Sequence, residues 1–168
     1  MGKSSRFGWI LLGLVFLCVF AVDRMPGHAG PVEENSRILV EIFLSPDHKD
    51  AVGKIKEEFK SASITKVRHK IFRAGYPPEN IAIGRNISAD VARLAIRLAV
   101  TYNRGIKFLL PEERLRTDYI AFGTSIFDES FQRPITPDQL KELSDPALTT
   151  EQFHASYRRI TGEDQRKP

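Results

Sequence analysis

Cysteine is all but missing from this chain. Cys18 is the only one, and it lies inside an uncharged apolar run. No second cysteine exists to close a disulfide, and beyond residue 18 there is neither a thiol nucleophile nor a thiolate metal ligand. The residue before it, Leu17, is too large for a lipidation site. Two signatures that would name a chemistry outright are also absent: no G-x-S-x-G elbow and no G-x-x-x-x-G-K-[ST] phosphate loop occurs. Strong charge of one sign is lacking as well. Of 25 basic and 21 acidic residues, three and one respectively stand in the first 29, leaving 22 against 20 in the remainder. That balance excludes the electrostatic footprint of a nucleic-acid binder. There is no internal repeat or low-complexity tract.

What is present first is the apolar run itself, residues 7–22, preceded by Lys3 and Arg6 and followed by Asp23 and Arg24. A basic start followed by such a run is what the secretion machinery engages, with the basic end held inside. A bilayer core needs about 20 apolar residues, and this run has 16. Its length fits the core of a cleaved signal peptide. An uncleaved anchor, lengthened by a snorkelling Arg24, is the alternative. Small residues stand correctly for cleavage after Ala21 and after Ala29. Residues 1–29 therefore read as signal peptide or membrane anchor, and residues 30–36 as linker. The remainder works outside the membrane, in the periplasm or another extracytoplasmic space, in contact with the membrane through residues 7–22 if the anchor stays.

The rest is long enough for one domain with a proper core. Arg37 to Leu44 is nearly continuous in apolar and β-branched residues and predicts an internal strand. Ser45-Pro46-Asp47 ends it and opens a helix to about Lys60, with Val52, Ile55 and Phe59 on one face. Residues 64–74 predict a second helix, with Ile64, Val67 and Ile71 on one side and Lys66, Lys70 and Arg73 on the other. Gly75 and Tyr76-Pro77-Pro78 stop it. A short strand at Asn80–Gly84 leads to the clearest helix, Ala89 to Asn103, apolar except for the row Asp90, Arg93 and Arg97. Two more strands follow, at 106–110 and 119–123. This order predicts an α/β fold: a small, mostly parallel sheet with one long buried helix packed on it, over residues 37–127. Residues 128–168 form a proline-punctuated extension with short helices at 137–143 and 150–160, the second opened by a Thr149–Gln152 capping box.

Candidate chemistry is sparse. Gly123 to Glu129 follows a strand end, where open α/β sheets place their sites, and offers Ser125 and Asp128. With His154 these two can be written as a hydrolytic triad, although sequence distance does not assemble it. Turn residues and a helix cap explain the same segment. His28, His48, His69 and His154 show no ligand spacing, so no metal site is expected and each histidine reads as an exposed residue. Lys66, Lys70 and Arg73 offer an anionic contact or a solvated helix face. Phe153, Tyr157 and Ile160 form one helical face that either closes the core or docks a partner. No cofactor is implied.

The leading strand ILVEIFL, the strand IAIG followed by ADVARLAIRLA, and the closing DYIAFG resemble the C-terminal domain of LytR-type cell-envelope proteins over residues 37–123. The resemblance implies an α/β accessory module without an established catalytic residue set. Three functional readings follow: an exported accessory envelope protein that binds rather than catalyses and meets a protein partner in the envelope; a small hydrolase using Ser125, His154 and Asp128; and a structural subunit docking through residues 130–160. For the leader, mass spectrometry of the purified exported protein is expected to give a chain beginning at Val22 or Gly30. A mass beginning near Met1 would identify the anchor instead.

Overall fold

The structure, a computed structural model, describes residues 35–73 and 75–163. The expected leader or anchor helix, both cleavage sites, Cys18 and most of the linker lie outside the described residues. Among the described residues no helix is long and apolar enough to cross a membrane.

Six strands make one sheet in the order β2-β1-β5-β3-β4-β6. They are β1 (Leu39–Leu44), β2 (Lys66–Ile71), β3 (Asn80–Ile83), β4 (Phe108–Leu110), β5 (Tyr119–Phe122) and β6 (Arg133–Pro134). Among the described residues four α-helices accompany them: α1 (Val52–Ser61), α2 (Ala89–Tyr102), α3 (Pro137–Leu143) and α4 (Thr150–Thr161). The fold is α/β, as expected, but the sheet is mixed. β1 runs parallel to β2 and to β5, β3 runs parallel to β4, and the two groups meet where β5 pairs antiparallel with β3. β6 closes the far edge antiparallel to β4, and Pro134 is tolerated there because an edge strand can forgo a ladder donor. The expectation of a mostly parallel sheet did not account for β5, which enters between the two halves.

Two of the three parallel pairs are built by helical crossovers, β1-α1-β2 and β3-α2-β4. The two start in opposite directions and move outward to opposite sides. Right-handed connections of that kind put both helices on the same face of the sheet. The core shows this: Val40, Ile42, Leu44, Ile81, Ile83, Leu109, Ile120 and Phe122 join Ile55, Phe59, Ala92, Ala95 and Ala99 in one buried cluster. Alternate strand residues point the other way, where Ala82, Leu110, Tyr119 and Ala121 form a smaller cluster with Leu39, Leu115 and Phe127. The sheet has two ends. At the upper end β1, β2 and β5 finish and β3 and β4 begin; the lower end is the reverse.

The helix expected over 64–74 is a strand. Ser63, at φ 64, takes a left-handed turn after α1, and Lys66–Ile71 then pairs with the whole of β1. The residues Ile64, Val67 and Ile71 fit helical spacing, but Val67 and Ile71 fit period two as well. Both pack against the core from one side of the strand. Lys66, Arg68 and Lys70 occupy the opposite side, exposed, with Arg68 3.8 Å from Glu41. Arg73 lies beyond the strand's end. The expected basic helical stripe of Lys66, Lys70 and Arg73 therefore does not exist. The lysines on this edge instead discourage pairing with a foreign strand.

The extension from residue 128 shares the core rather than standing apart from it. Leu143, Phe153 and Tyr157 are fully buried within the main cluster, and Ile160 packs against it. The Tyr157 hydroxyl donates to the Leu110 carbonyl at 2.9 Å. The face formed by Phe153, Tyr157 and Ile160 is thus not a docking surface. It closes the domain's own interior. The Thr149–Gln152 capping box forms as expected, and a second one, Thr136–Gln139, opens α3. Truncating a buried phenylalanine removes about 3–5 kcal/mol of stability. Phe153→Ala is expected to cost that much in chemical denaturation; a cost below about 1 kcal/mol would place α4 outside the cooperative core.

Candidate functional site

Among the described residues the buried polar atoms without a hydrogen-bond partner lie at the upper end of the sheet. Asn80, fully buried at the start of β3, extends the β3–β5 pairing with its side chain: Nδ2 donates to the Thr124 carbonyl at 2.9 Å and Oδ1 accepts from the Thr124 amide at 3.0 Å. Between these strands Gly123 turns with φ +70, and a Cβ there would lie 2.6 Å from the Phe43 carbonyl oxygen and 3.1 Å from Asn103 Nδ2. Only glycine fits so close an approach in that conformation. The turn sends residues 124–132 back toward β6. On the way Phe127 packs on the smaller cluster while Ser125 and Ile126 stay exposed.

Three buried side-chain atoms have no hydrogen-bond partner among the described residues: Ser45 Oγ, His48 Nδ1 and Asn103 Oδ1. All three belong to this end. Ser45 follows β1 directly, and the His48 amide donates to its carbonyl at 3.1 Å. The His48 ring stands edge-on to Tyr102, with centroids 6.0 Å apart. Asn103, the next residue, donates through Nδ2 to the Pro78 carbonyl at 2.8 Å. A buried polar atom left unbonded costs about 1–3 kcal/mol. A buried polar atom of this kind favours a polar neighbour, whether an ordered water or part of a ligand.

Beside them opens a cleft of about 560 Å³, within the size range of small-molecule sites. Its walls are Phe72, Tyr76, Pro78 and Phe108, and its polar lining is Glu79, Ser125, Glu129 and Gln132. Tyr76 and Ile126 are exposed by 52% and 61%, large values for such side chains that concentrate apolar surface here. Tyr76 is steadied by its hydroxyl, which donates to Asp47 at 3.3 Å, and by the Arg104 guanidinium 4.4 Å above its ring. A larger groove of about 750 Å³ lies between α2 and α3, floored by Leu94, Ile96, Val100 and Leu140. Its rim arginines are already engaged, Arg93 by Asp90 and two carbonyls and Arg97 by Glu58. It is a seam between helices with little polar function on offer.

Of the expected triad, Ser125 lines the cleft and Asp128 stands three residues on. The Asp128 carboxylate accepts from the Ser130 amide at 2.8 Å, which caps the short 3-10 turn Glu129–Phe131 and holds its pKa below the ordinary carboxylate value. His154 is elsewhere. It sits at the lower end, separated from Ser125 by the length of β3, about 13 Å for four residues. The triad Ser125–His154–Asp128 is not assembled. Nor is His154 exposed, as expected from sequence; it is 5% accessible. Its Nε2 meets the Ile87 carbonyl at 2.7 Å, and its Nδ1 meets a carboxylate oxygen of Glu112. A carbonyl only accepts, so Nε2 carries a proton, and a second proton is held between Nδ1 and Glu112. Burial by itself would lower the pKa of this histidine. The hydrogen bonds to Glu112 and Ile87, with the Glu112 charge, outweigh it and raise the pKa above the ordinary value. Arg158 reaches the other Glu112 oxygen at 3.4 Å.

The pattern Phe153, His154, Tyr157 and Thr161 follows the helical spacing of buried positions, so the histidine's burial could have been read from sequence. Glu112, in a polar turn, gave no such signal. Neither did the convergence of Ser45, His48 and Asn103, which lie on segments far apart in the chain.

Comparison with protein-family models, curated proteins and solved structures finds no match to this chain. The LytR-type resemblance therefore rests on the sequence pattern alone.

The His154–Glu112 pair makes a signed prediction. Because the folded pKa is raised, its stabilisation is complete below the unfolded histidine value near pH 6.5 and is lost as pH rises through the folded pKa. Unfolding free energies measured across that window should fall with rising pH, and Glu112→Ala should flatten the slope. Removing one member of a buried pair also costs about 3–5 kcal/mol. A variant with an unchanged pH profile would show that the pair carries no shared proton.

Proposed function

We propose that this chain is an exported accessory domain of the cell envelope that acts by binding, with the cleft at the upper end of the sheet as its ligand site. The observation that carries the reading is the cleft itself, walled by aromatic side chains at the end of the sheet where β1, β2 and β5 finish; the three unpartnered buried polar atoms lie at the same end but do not line it. That end of an α/β sheet is where ligands commonly lie. Export is supported by the basic start and apolar run of residues 7–22. The hydrolase reading loses its support because both ring nitrogens of His154 are committed at the opposite end. Docking through residues 130–160 loses its own because the aromatic face is buried.

A fragment screen by amide NMR tests the reading. Hits are expected to shift the signals of Phe72, Phe108, Ser125 and neighbouring residues together. Hits that map consistently to the groove between α2 and α3, or turnover of activated esters that Ser125→Ala abolishes, would overturn it.

A further inference from the structure

We propose that the cleft takes a primary alkylammonium group, a step that rests on the binding reading above and names the chemistry of its ligand. The charged residues in the lining, Glu79 and Glu129, are both acidic. Two features of the cleft already hold cations from the chain itself. Lys107 Nζ lies 2.5 Å from the Glu79 carboxylate, and Arg104 covers the face of Tyr76. What is left over defines the guest. Among the described residues nothing gives the Glu129 carboxylate, the Ser125 hydroxyl or the Gln132 side-chain amide a hydrogen bond or ion pair.

These three groups stand on one short segment and offer three oxygen acceptors. A primary ammonium offers three N–H donors that rotate to suit their acceptors. Its hydrocarbon stem needs an apolar wall, and Phe72 and Phe108 provide one, with Phe108 36% exposed. A cation near these ring faces gains further attraction from their electron-rich surfaces. A guanidinium would spend its planar fork on the one open carboxylate, Glu129, whereas an ammonium suits three separate acceptors. An anionic guest finds no cation in the lining and meets Glu129 unfavourably.

The test uses the purified exported protein and four probes followed by amide NMR: n-butylammonium, Nα-acetyl-lysine methylamide, and the norleucine and glutamate counterparts of the latter. The two amines are expected to shift Phe72, Phe108, Ser125 and Glu129, with the norleucine compound binding roughly tenfold more weakly. Glu129→Gln, an exposed substitution, should weaken the amines about fivefold and leave the norleucine compound unchanged. Tighter binding of the lysine compound than of butylammonium marks a lysine side chain of a polypeptide as the source, and equal binding marks a free amine; both support the proposal. Norleucine or glutamate compounds binding in the cleft as tightly as lysine would overturn the ammonium class while leaving the cleft a binding site. No shift with any of the four would overturn it too, and the fragment screen decides separately whether the cleft binds anything.

Discussion

The molecule depends on one seam. Within the sheet, the block β2-β1-β5 is joined to the block β3-β4-β6 only through the antiparallel pairing of β3 with β5. Three residue pairs make it: Ile81 with Phe122, Ala82 with Ala121 and Ile83 with Ile120. Each end is then extended beyond regular pairing. At the upper end the Asn80 side chain continues the ladder to Thr124; at the lower end the Gly84 amide donates to the Tyr119 carbonyl at 2.8 Å. Glycine is required at both ends. A Cβ on Gly84 would stand 2.3 Å from the Arg116 carbonyl oxygen, as one on Gly123 would crowd Phe43. The small side chains of Ala82 and Ala121, side by side on the less covered face, keep the seam closed where few side chains pack over it.

The two ends of this seam have opposite chemical character. At the lower end buried polar groups are joined to one another. His154, Glu112 and the Ile87 carbonyl form a chain, and Glu163 accepts from the Glu112 amide at 2.8 Å, tying the end of α4 to the turn after β4. Such a network, fully bonded, makes one packing preferable to others. At the upper end Asn80 is bonded to Thr124, but three buried polar atoms, on Ser45, His48 and Asn103, have no partner among the described residues, and the nearby surface is aromatic. A scaffold whose buried polar groups are closed into a network at one end can leave such groups open at the other.

Much of this arrangement was legible in the chain. The strand at 39–44, the buried helix at 89–102, the short helices at 137–143 and 150–160, the cap at Thr149 and the α/β class follow from hydrophobic period and cap residues. Two kinds of feature were not. β2 is short, basic and half-exposed, so its two apolar side chains satisfied a helical and an extended reading alike; the pairing partner β1, far off in energy from any local signal, decided between them. The mixed direction of the sheet is likewise a property of where β5 inserts, which no local pattern records. Turn chemistry marked Ser125 and Asp128 for a triad that does not assemble; Ser125 lines the cleft and Asp128 caps the turn beside it. Ser45, His48, Asn103 and Glu112 were missed because each acquires its role only from neighbours brought in by the fold.

β5 has a consequence for how such a chain acquires its structure. It is interior to the sheet, yet its residues come after β1 by nearly half the sequence. Until Tyr119–Phe122 become available, β1 and β3 each have an empty flank, and β1-α1-β2 can form only as an isolated unit with an open inner edge. Contacts of such long range are slow to form, and open strand edges attract other chains. A chain delivered end-first, whether from a ribosome or across a membrane, therefore passes through a vulnerable interval that closes only when its last interior strand arrives.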